Sequence, residues 1–302
     1  MKLNEFKYDV KSKIYTTLCR IKYMFEKHKY VMPNVKSVNE TISEFVKEGI
    51  SCGRFGDGEI AIIYGQSIGF QKYEKDLANR LKEILSLDSK EKKFLVCIPS
   101  IFNGLDFCKK EARKYHLQQL VMNYKKWYES INCERDYYNA FSSRFYSLYK
   151  DKSHCAKTVD LWKKVWDNKR LLVIEGEYSR LGVGNSLFDN AAEIKRILCP
   201  SKNAWSCYPK ILENALNFCE ENDLVLVALG PTATVLCYDL YKQGVKALDV
   251  GHIDIELEWF LMGTDTRVAV KGKFVNEVKD DGYIDYELND ESYEKQIIMR
   301  IE

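Results

Sequence analysis

Two carboxylates one residue apart, Asp57 and Glu59, stand among Gly53, Gly56 and Gly58 in the run Ile50–Glu59, ISCGRFGDGE. Carboxylate oxygens are hard donors, and a pair in an irregular loop can turn toward one hard cation. Arg54, three residues before Asp57, offers a planar fork suited to a phosphate. Glycines at a strand end let the backbone bend sharply and come close to a ligand. Cation, phosphate and close backbone approach together read as a site for a nucleoside diphosphate. An isolated Asp-x-Glu reads more often as a tight turn with solvated acids, so the rest of the chain decides.

Other apolar runs also end in polar, glycine-bearing loops. Phe94–Pro99 runs into Ser100–Gly104, which carries Asn103. Arg170–Glu175 leads into GEYSRLGVGN, offering Gly176, Gly182, Gly184, Ser179, Arg180 and Asn185 ahead of a helix expected near Leu187. Ile194–Cys199 ends at Pro200-Ser201-Lys202-Asn203. Asp223–Leu229, DLVLVAL, the strongest buried-strand signal, opens into Gly230-Pro231-Thr232-Ala233-Thr234 and a helix. Pro231 suits a first helical position, and free backbone N–H groups at such turns favour an anion. Ala247–Val250 runs into Gly251-His252-Ile253-Asp254-Ile255-Glu256. Read as extended, this segment places His252, Asp254 and Glu256 on one face, where one could act as a base toward a hydroxyl, the carboxylates ranking ahead of the histidine. Glu256 or Glu258 could instead hold His252 or Arg180 in place.

The elements that would position these residues alternate between strand and helix from Val159 onward, which predicts an α/β fold with a Rossmann-like, doubly wound, mostly parallel sheet. In such a sheet the strand ends point one way. Arg54, Asp57, Glu59, Asn103, Arg180, Asn185, Thr232, His252, Asp254 and Glu256 are then expected to converge on one crevice. Residues 1–36 form an N-terminal unit with a basic amphipathic helix over 1–30, suited to an anionic membrane surface or to packing on protein. Residues 37–270 form the main domain, with an aromatic helical insertion over about 105–150 that reads as a lid, an acceptor wall or a plain helical layer. Residues 271–302 form a charged tail with one edge strand and a helix.

The 46 basic and 44 acidic residues nearly cancel, which argues against nucleic acid as a partner. The ten cysteines are scattered without a Cys-x-x-Cys pair and read as reduced, buried small hydrophobes. No apolar run is long enough to span a bilayer and no signal peptide is evident, so the expected location is cytoplasmic, with the first helix as a peripheral contact on the inner face of the membrane. A nicotinamide or flavin site is disfavoured, because the first glycine turn lacks the Gly-x-Gly-x-x-Gly spacing.

Phe55–Glu59, Gly176–Asn185, Cys199–Ala204, Leu229–Thr234 and Gly251–Trp259 resemble, in order, the GT-D-fold glycosyltransferases, a domain first named as one of unknown function in bacterial glycan and surface-glycoprotein clusters. The resemblance covers about residues 40–265. It implies a metal-dependent hexosyltransferase using a nucleotide sugar, typically UDP-linked, with a divalent cation (Mn2+ or Mg2+) at an Asp-x-Glu motif. The acceptor it implies is a glycan, glycoprotein or lipid-linked carrier in polysaccharide or surface-glycan synthesis. Asp57 and Glu59 fit the motif, and Asp254 and Glu256 share its spacing. The donor is expected to meet Arg54, Phe55, Gly56, Asn103, Arg180, Gly182, Gly184, Asn185, Asn203, Gly230, Pro231 and Thr232. A metal-dependent phosphohydrolase and a non-catalytic nucleotide-sugar binder are the competing classes.

Overall fold

Short apolar runs that alternate with amphipathic stretches build one eight-stranded sheet in the computed structural model, which describes residues 2–221, 223–275, 278 and 290–302. Helices α1 (Lys2–Lys29) and α2 (Val38–Phe45) lead into β1 (Ser51–Arg54), α3 (Asp57–Ile63), α4 (Lys75–Leu85), β2 (Phe94–Ile98), α5 (Lys110–Ser130) and β3 (Tyr138–Asn139). The second half runs α6 (Cys155–Val165), β4 (Arg170–Gly176), β5 (Glu193–Cys199), α7 (Tyr208–Phe218), β6 (Leu224–Ala228), α8 (Pro231–Lys242), β7 (Ala247–Asp249), α9 (Ile253–Leu261), α10 (Glu291–Gln296) and β8 (Ile297–Arg300). The strand order is β3-β2-β1-β7-β6-β4-β5-β8, and every pairing among them is parallel. All carboxyl ends therefore open on the same side, as the α/β reading requires.

The central strands are apolar on both faces. In β4, Leu172 and Ile174 face one core while Leu171 and Val173 face the other, and β6 divides the same way between Val225, Val227 and Leu224, Leu226. Period-two alternation then carries no polar residues, which is why these runs read as continuous. One core is covered by α4, α5, α7 and α8, the other by α2, α6 and α9. Local signals set the helix starts. Ser37 caps α2 in a reciprocal box with Glu40, with bonds of 3.2 Å and 2.8 Å. Pro231 opens α8 after Gly230, whose φ of +54° lies in the left-handed region.

Four expectations change, while the helix and edge strand expected in the tail are found. Asp57 and Glu59 lie in the first turn of α3 rather than in an irregular loop. No helix follows Leu187; the stretch folds as turns, with Gly182 and Gly184 at φ +73° and +75°, and the Phe188 ring packs where a Cβ on Gly182 would sit. Residues 253–261 form α9 instead of an extended segment. Ile253 through Leu257 are all buried, so no 3.6-residue stripe marked the helix, and its Ile-Asp-Ile-Glu-Leu alternation imitated a strand. The aromatic stretch is helical only over Lys110–Ser130 and then supplies β3 at the sheet edge. The tail contributes α10 and then β8, which pairs with β5; residues 279–289 of it lie outside the described residues.

Gly53 lets α8 rest against β1. A Cβ there would lie 2.8 Å from Thr234 Cγ2 and 3.1 Å from the Phe94 ring. Gly53→Ala is therefore expected to cost about 1–3 kcal/mol through overpacking. Gly69→Ala, which meets nothing within 4 Å, should stay within about 0.5 kcal/mol. Urea unfolding of the two variants beside the parent chain checks this.

Candidate active site

The carboxyl ends of the strands surround a cleft of about 660 Å³. Its floor is Asp249 at the end of β7 and Ala228 at the end of β6. One wall is the β1–α3 turn from Arg54 to Glu59. Facing it are the loops after β4 and β5, and α5 closes a third side with Tyr115, His116 and Gln119. A loop around Phe70 and Gln71 crosses the rim.

Arg54 is the anchor of the floor. Its Nε donates to Asp249 Oδ1 at 3.3 Å, and its Nη1 donates to the Ala140 carbonyl at 3.2 Å and to the Ser143 hydroxyl. Asp249 Oδ2 accepts from the Arg54 backbone N–H and from Thr234 Oγ1, each at 3.3 Å. Burial raises the Asp249 carboxyl above its ordinary value, and the Arg54 charge and donors oppose that rise. The guanidinium lies so close to Gly251, at φ +45°, that a Cβ there would stand 2.0 Å from Nη2. Arg54 thus lines the cleft while already bound to Asp249, a role the phosphate reading did not include.

At α3, Glu59 turns back and its Oε2 accepts from the Gly56 N–H at 2.7 Å, satisfying a free donor at the helix N-terminus. That turn brings Glu59 to the same cleft as the exposed Asp57, although i and i+2 lie on different sides of a helix. Asp57 Oδ2 accepts from the Tyr115 hydroxyl. Burial pushes the Glu59 carboxyl up to about 7, with the charges of Asp249 and Asp57 adding to the rise. Burial pulls the neighbouring His116 imidazole down to about 4. Two carboxylates lining one cleft supply the oxygen donors that suit a hard divalent cation. Among the described residues no three His, Cys, Asp or Glu side chains form a closed cage. Mg2+-type sites commonly use one or two carboxylates and complete their shell with water and substrate phosphate, so this pair fits.

The acids after β7 are used differently. Asp254 lines the cleft, but its Oδ1 accepts from Gly182 N–H (2.8 Å), Asn185 Nδ2 (2.7 Å) and Lys273 Nζ (2.9 Å), and its Oδ2 accepts from Lys273 again at 2.7 Å. Glu258 shares Asn185 and Lys273, at 2.7 and 2.8 Å. Burial raises the Asp254 carboxyl, opposed chiefly by the Lys273 charge. Glu256 is fully buried outside the cleft lining: Oε2 accepts from the N–H groups of Tyr146 and Ser147 at 2.8 and 2.7 Å, and Oε1 from the Ser147 hydroxyl at 2.5 Å. Three residues expected on one face thus separate, because a helix turns them about 200° per two residues. His252, which precedes α9, remains at the cleft.

The donor-binding set also divides. Arg54, Phe55, Gly56, Asn203 and Gly230 line the cleft. Asn203, at φ +55°, serves the rim loop, with its N–H donating to Phe70 O and its Oδ1 accepting from Lys72 N–H, both at 2.8 Å. Gly230 lies under Phe70, where a Cβ would meet the ring at 2.5 Å. Pro231 and Thr232 are buried behind it in α8. Asn103 brackets Val35 through both its amide atoms, at 3.2 and 2.8 Å, away from the cleft. Gly182, Gly184 and Asn185 support the β4 loop, and Arg180 stacks on Tyr293 at 4.9 Å. Sequence reasoning missed Asp249, Phe70, Tyr115 and His116. An acid closing the otherwise apolar Ala247–Val250 was a usable sign for Asp249. For Phe70, Tyr115 and His116 none stood out, since aromatics fill much of the chain.

The family model described as the glycosyltransferase GT-D fold matches residues 52–278. A probable glycosyl transferase of Streptococcus gordonii is 38% identical over 272 residues, 89% of this chain and 39% of that protein. A glycosyltransferase of Streptococcus pneumoniae is also 38% identical, over 88% of this chain and 32% of its own length. The chain thus spans well under half of these curated relatives. A solved glycosyltransferase from Streptococcus sanguinis superposes with a TM-score of 0.84 at 37% identity, covering 90% of this chain and 100% of the other. A solved domain described as having a distinct glycosyltransferase fold gives 0.86 at 36% identity, covering 93% and 100%.

Glu256→Ala would strip two buried N–H groups and a hydroxyl of their acceptor. A loss of about 3–5 kcal/mol is expected, read as a lowered midpoint in thermal or urea unfolding. Asp57→Ala, at an exposed position, should leave the midpoint close to that of the parent chain.

Proposed function

The chain belongs to the GT-D-fold glycosyltransferase family, and from that premise we propose that its cleft binds a nucleotide-sugar donor, UDP-linked, with Asp57 and Glu59 as the protein ligands of a divalent cation, Mn2+ or Mg2+. The observation that carries the proposal is the pair of acids at the first turn of α3, both facing the cleft and one held up to about 7 by burial and neighbouring charge. A cation there would supply charge stabilisation to the departing nucleoside diphosphate.

The chain's own groups do the rest. Arg54 adds positive charge at the floor, fixed in place before the donor arrives by Asp249, Ala140 and Ser143; donors that need no reorganisation are the effective ones. Lys202, exposed at the cleft rim, is suited to the diphosphate. Of the three base candidates we retain His252, at the cleft and ahead of α9, to take the proton of an acceptor hydroxyl. Asp254 and Glu256 we assign to positioning, since their oxygens are already bonded. The acceptor is a glycan, glycoprotein or lipid-linked carrier, met along α5, where Tyr115 and His116 face the cleft.

Calorimetry of UDP binding with Mn2+ or with chelator tests the metal reading. Asp57→Ala and Glu59→Gln should each weaken Mn2+-dependent UDP binding by about tenfold or more, while both variants melt near the parent temperature. Unchanged metal-dependent binding in both would falsify the assignment. His252→Gln should lower the transfer rate and leave UDP affinity in place. Equal donor turnover with and without acceptor would instead mark a hydrolase.

A further inference from the structure

α1 lies outside the sheet and packs on α5: Tyr23 meets the edge of Tyr124 at 6.1 Å, Tyr30 meets Tyr128 at 5.1 Å, and Cys19 is buried between the helices and the core. Thr16, Cys19, Tyr23, Glu26 and Tyr30, spaced by three and four, make this inner face. The opposite face carries Ile14, Leu18, Ile21 and Phe25 at the same spacing, 56%, 58%, 48% and 73% exposed, with Met24 beside them at 61%. At 100° per residue these five side chains span an arc of about 120°, with Thr17 and His28 also within it. Arg20 and Lys27 project along one border of that arc, Lys22 and Lys29 along the other, and all four are exposed. The one acid between Ile14 and Val31 is Glu26, on the face turned to α5.

We propose that this face of α1 binds an anionic lipid surface, with the helix lying in the plane of the interface. An apolar stripe bordered on both sides by cations matches that environment: the stripe enters the acyl boundary while the cations reach anionic headgroups. A second copy of the chain is a poorer occupant. A symmetric helix pair would bring basic borders against basic borders, where paired helices normally place opposite charges. No described helix is long and apolar enough to cross a bilayer, so the contact is peripheral. Because α5 joins α1 to the cleft through Tyr115, His116 and Gln119, the lipid surface would stand one helix away from the acceptor wall. The proposal does not depend on the identity of the donor.

Flotation of the full chain with vesicles of phosphatidylcholine, alone or with 30 mol % phosphatidylglycerol as an order-of-magnitude composition for an anionic leaflet, tests it directly. Binding is expected only with the anionic vesicles and should weaken as salt rises. Phe25→Glu should reduce it about tenfold or more, and Arg20→Glu or Lys22→Glu about fivefold each. Circular dichroism and Mn2+-dependent UDP binding serve as folding controls, since these residues lie outside the cleft. Two results would overturn the proposal. One is equal partitioning onto neutral and anionic vesicles, or onto neither. The other is a parent chain dimeric by sedimentation that Phe25→Glu makes monomeric without changing vesicle binding.

Discussion

Arg54 and Asp249 form the contact on which the rest of the cleft depends. They close the carboxyl ends of β1 and β7, neighbours in the sheet whose sequence positions are 195 residues apart. Three further segments meet there: α8 through Thr234, whose hydroxyl donates to the Arg54 carbonyl at 2.8 Å, the stretch after β3 through Ala140 and Ser143, and the turn at Gly251. A buried ion pair of this kind contributes little net stability, but losing either partner strands the other charge away from water. Its effect is geometric: it fixes where the α3 acids and the start of α9 stand relative to each other.

The same principle runs through the neighbouring loops. Glu175 and Arg196 pair at 2.6 Å with both side chains almost fully buried, and Glu175 also accepts from the Leu181 N–H at 2.7 Å. Lys273 joins Asp254 and Glu258, and Glu256 holds the backbone of Tyr146 and Ser147. Each carboxylate ties an irregular segment to a rigid element, so glycine-rich loops that would otherwise sample many conformations keep one shape around the cleft. Most acids near the strand ends thus hold loops in place, whereas the α3 pair lines the cleft from the first turn of its helix.

The fold class was legible because β4 and β6 are apolar on both faces, end in turn residues and alternate with helices, the pattern of a covered parallel sheet. The GT-D blocks were legible for the same reason, since they mark those strand ends. What was not legible is which side of each loop faces inward. Asp254 and Glu256 share the spacing of Asp57 and Glu59, yet one pair opens a capped surface helix and the other sits in a buried one. Lys273, nineteen residues beyond Asp254, pairs with it, and no local pattern announces that contact. Asn103 and Arg180 likewise read as ligand contacts by their place at strand ends, whereas Val35 and Tyr293, distant in sequence, are what they meet.

The strand order has a consequence for how the chain acquires this shape. β1 sits in the middle of the sheet between β2 and β7, and β8 covers the outer side of β5. The centre therefore closes by joining segments 195 residues apart, and β5 takes its second neighbour from a segment 100 residues further along. Contacts of such sequence separation slow folding, since loop closure precedes any reward from pairing. Until β8 docks, β5 presents an open edge with the apolar Ile194, Ile197 and Leu198, the type of surface on which nascent chains join one another. β8 thus closes that edge of β5, a duty separate from anything the cleft does.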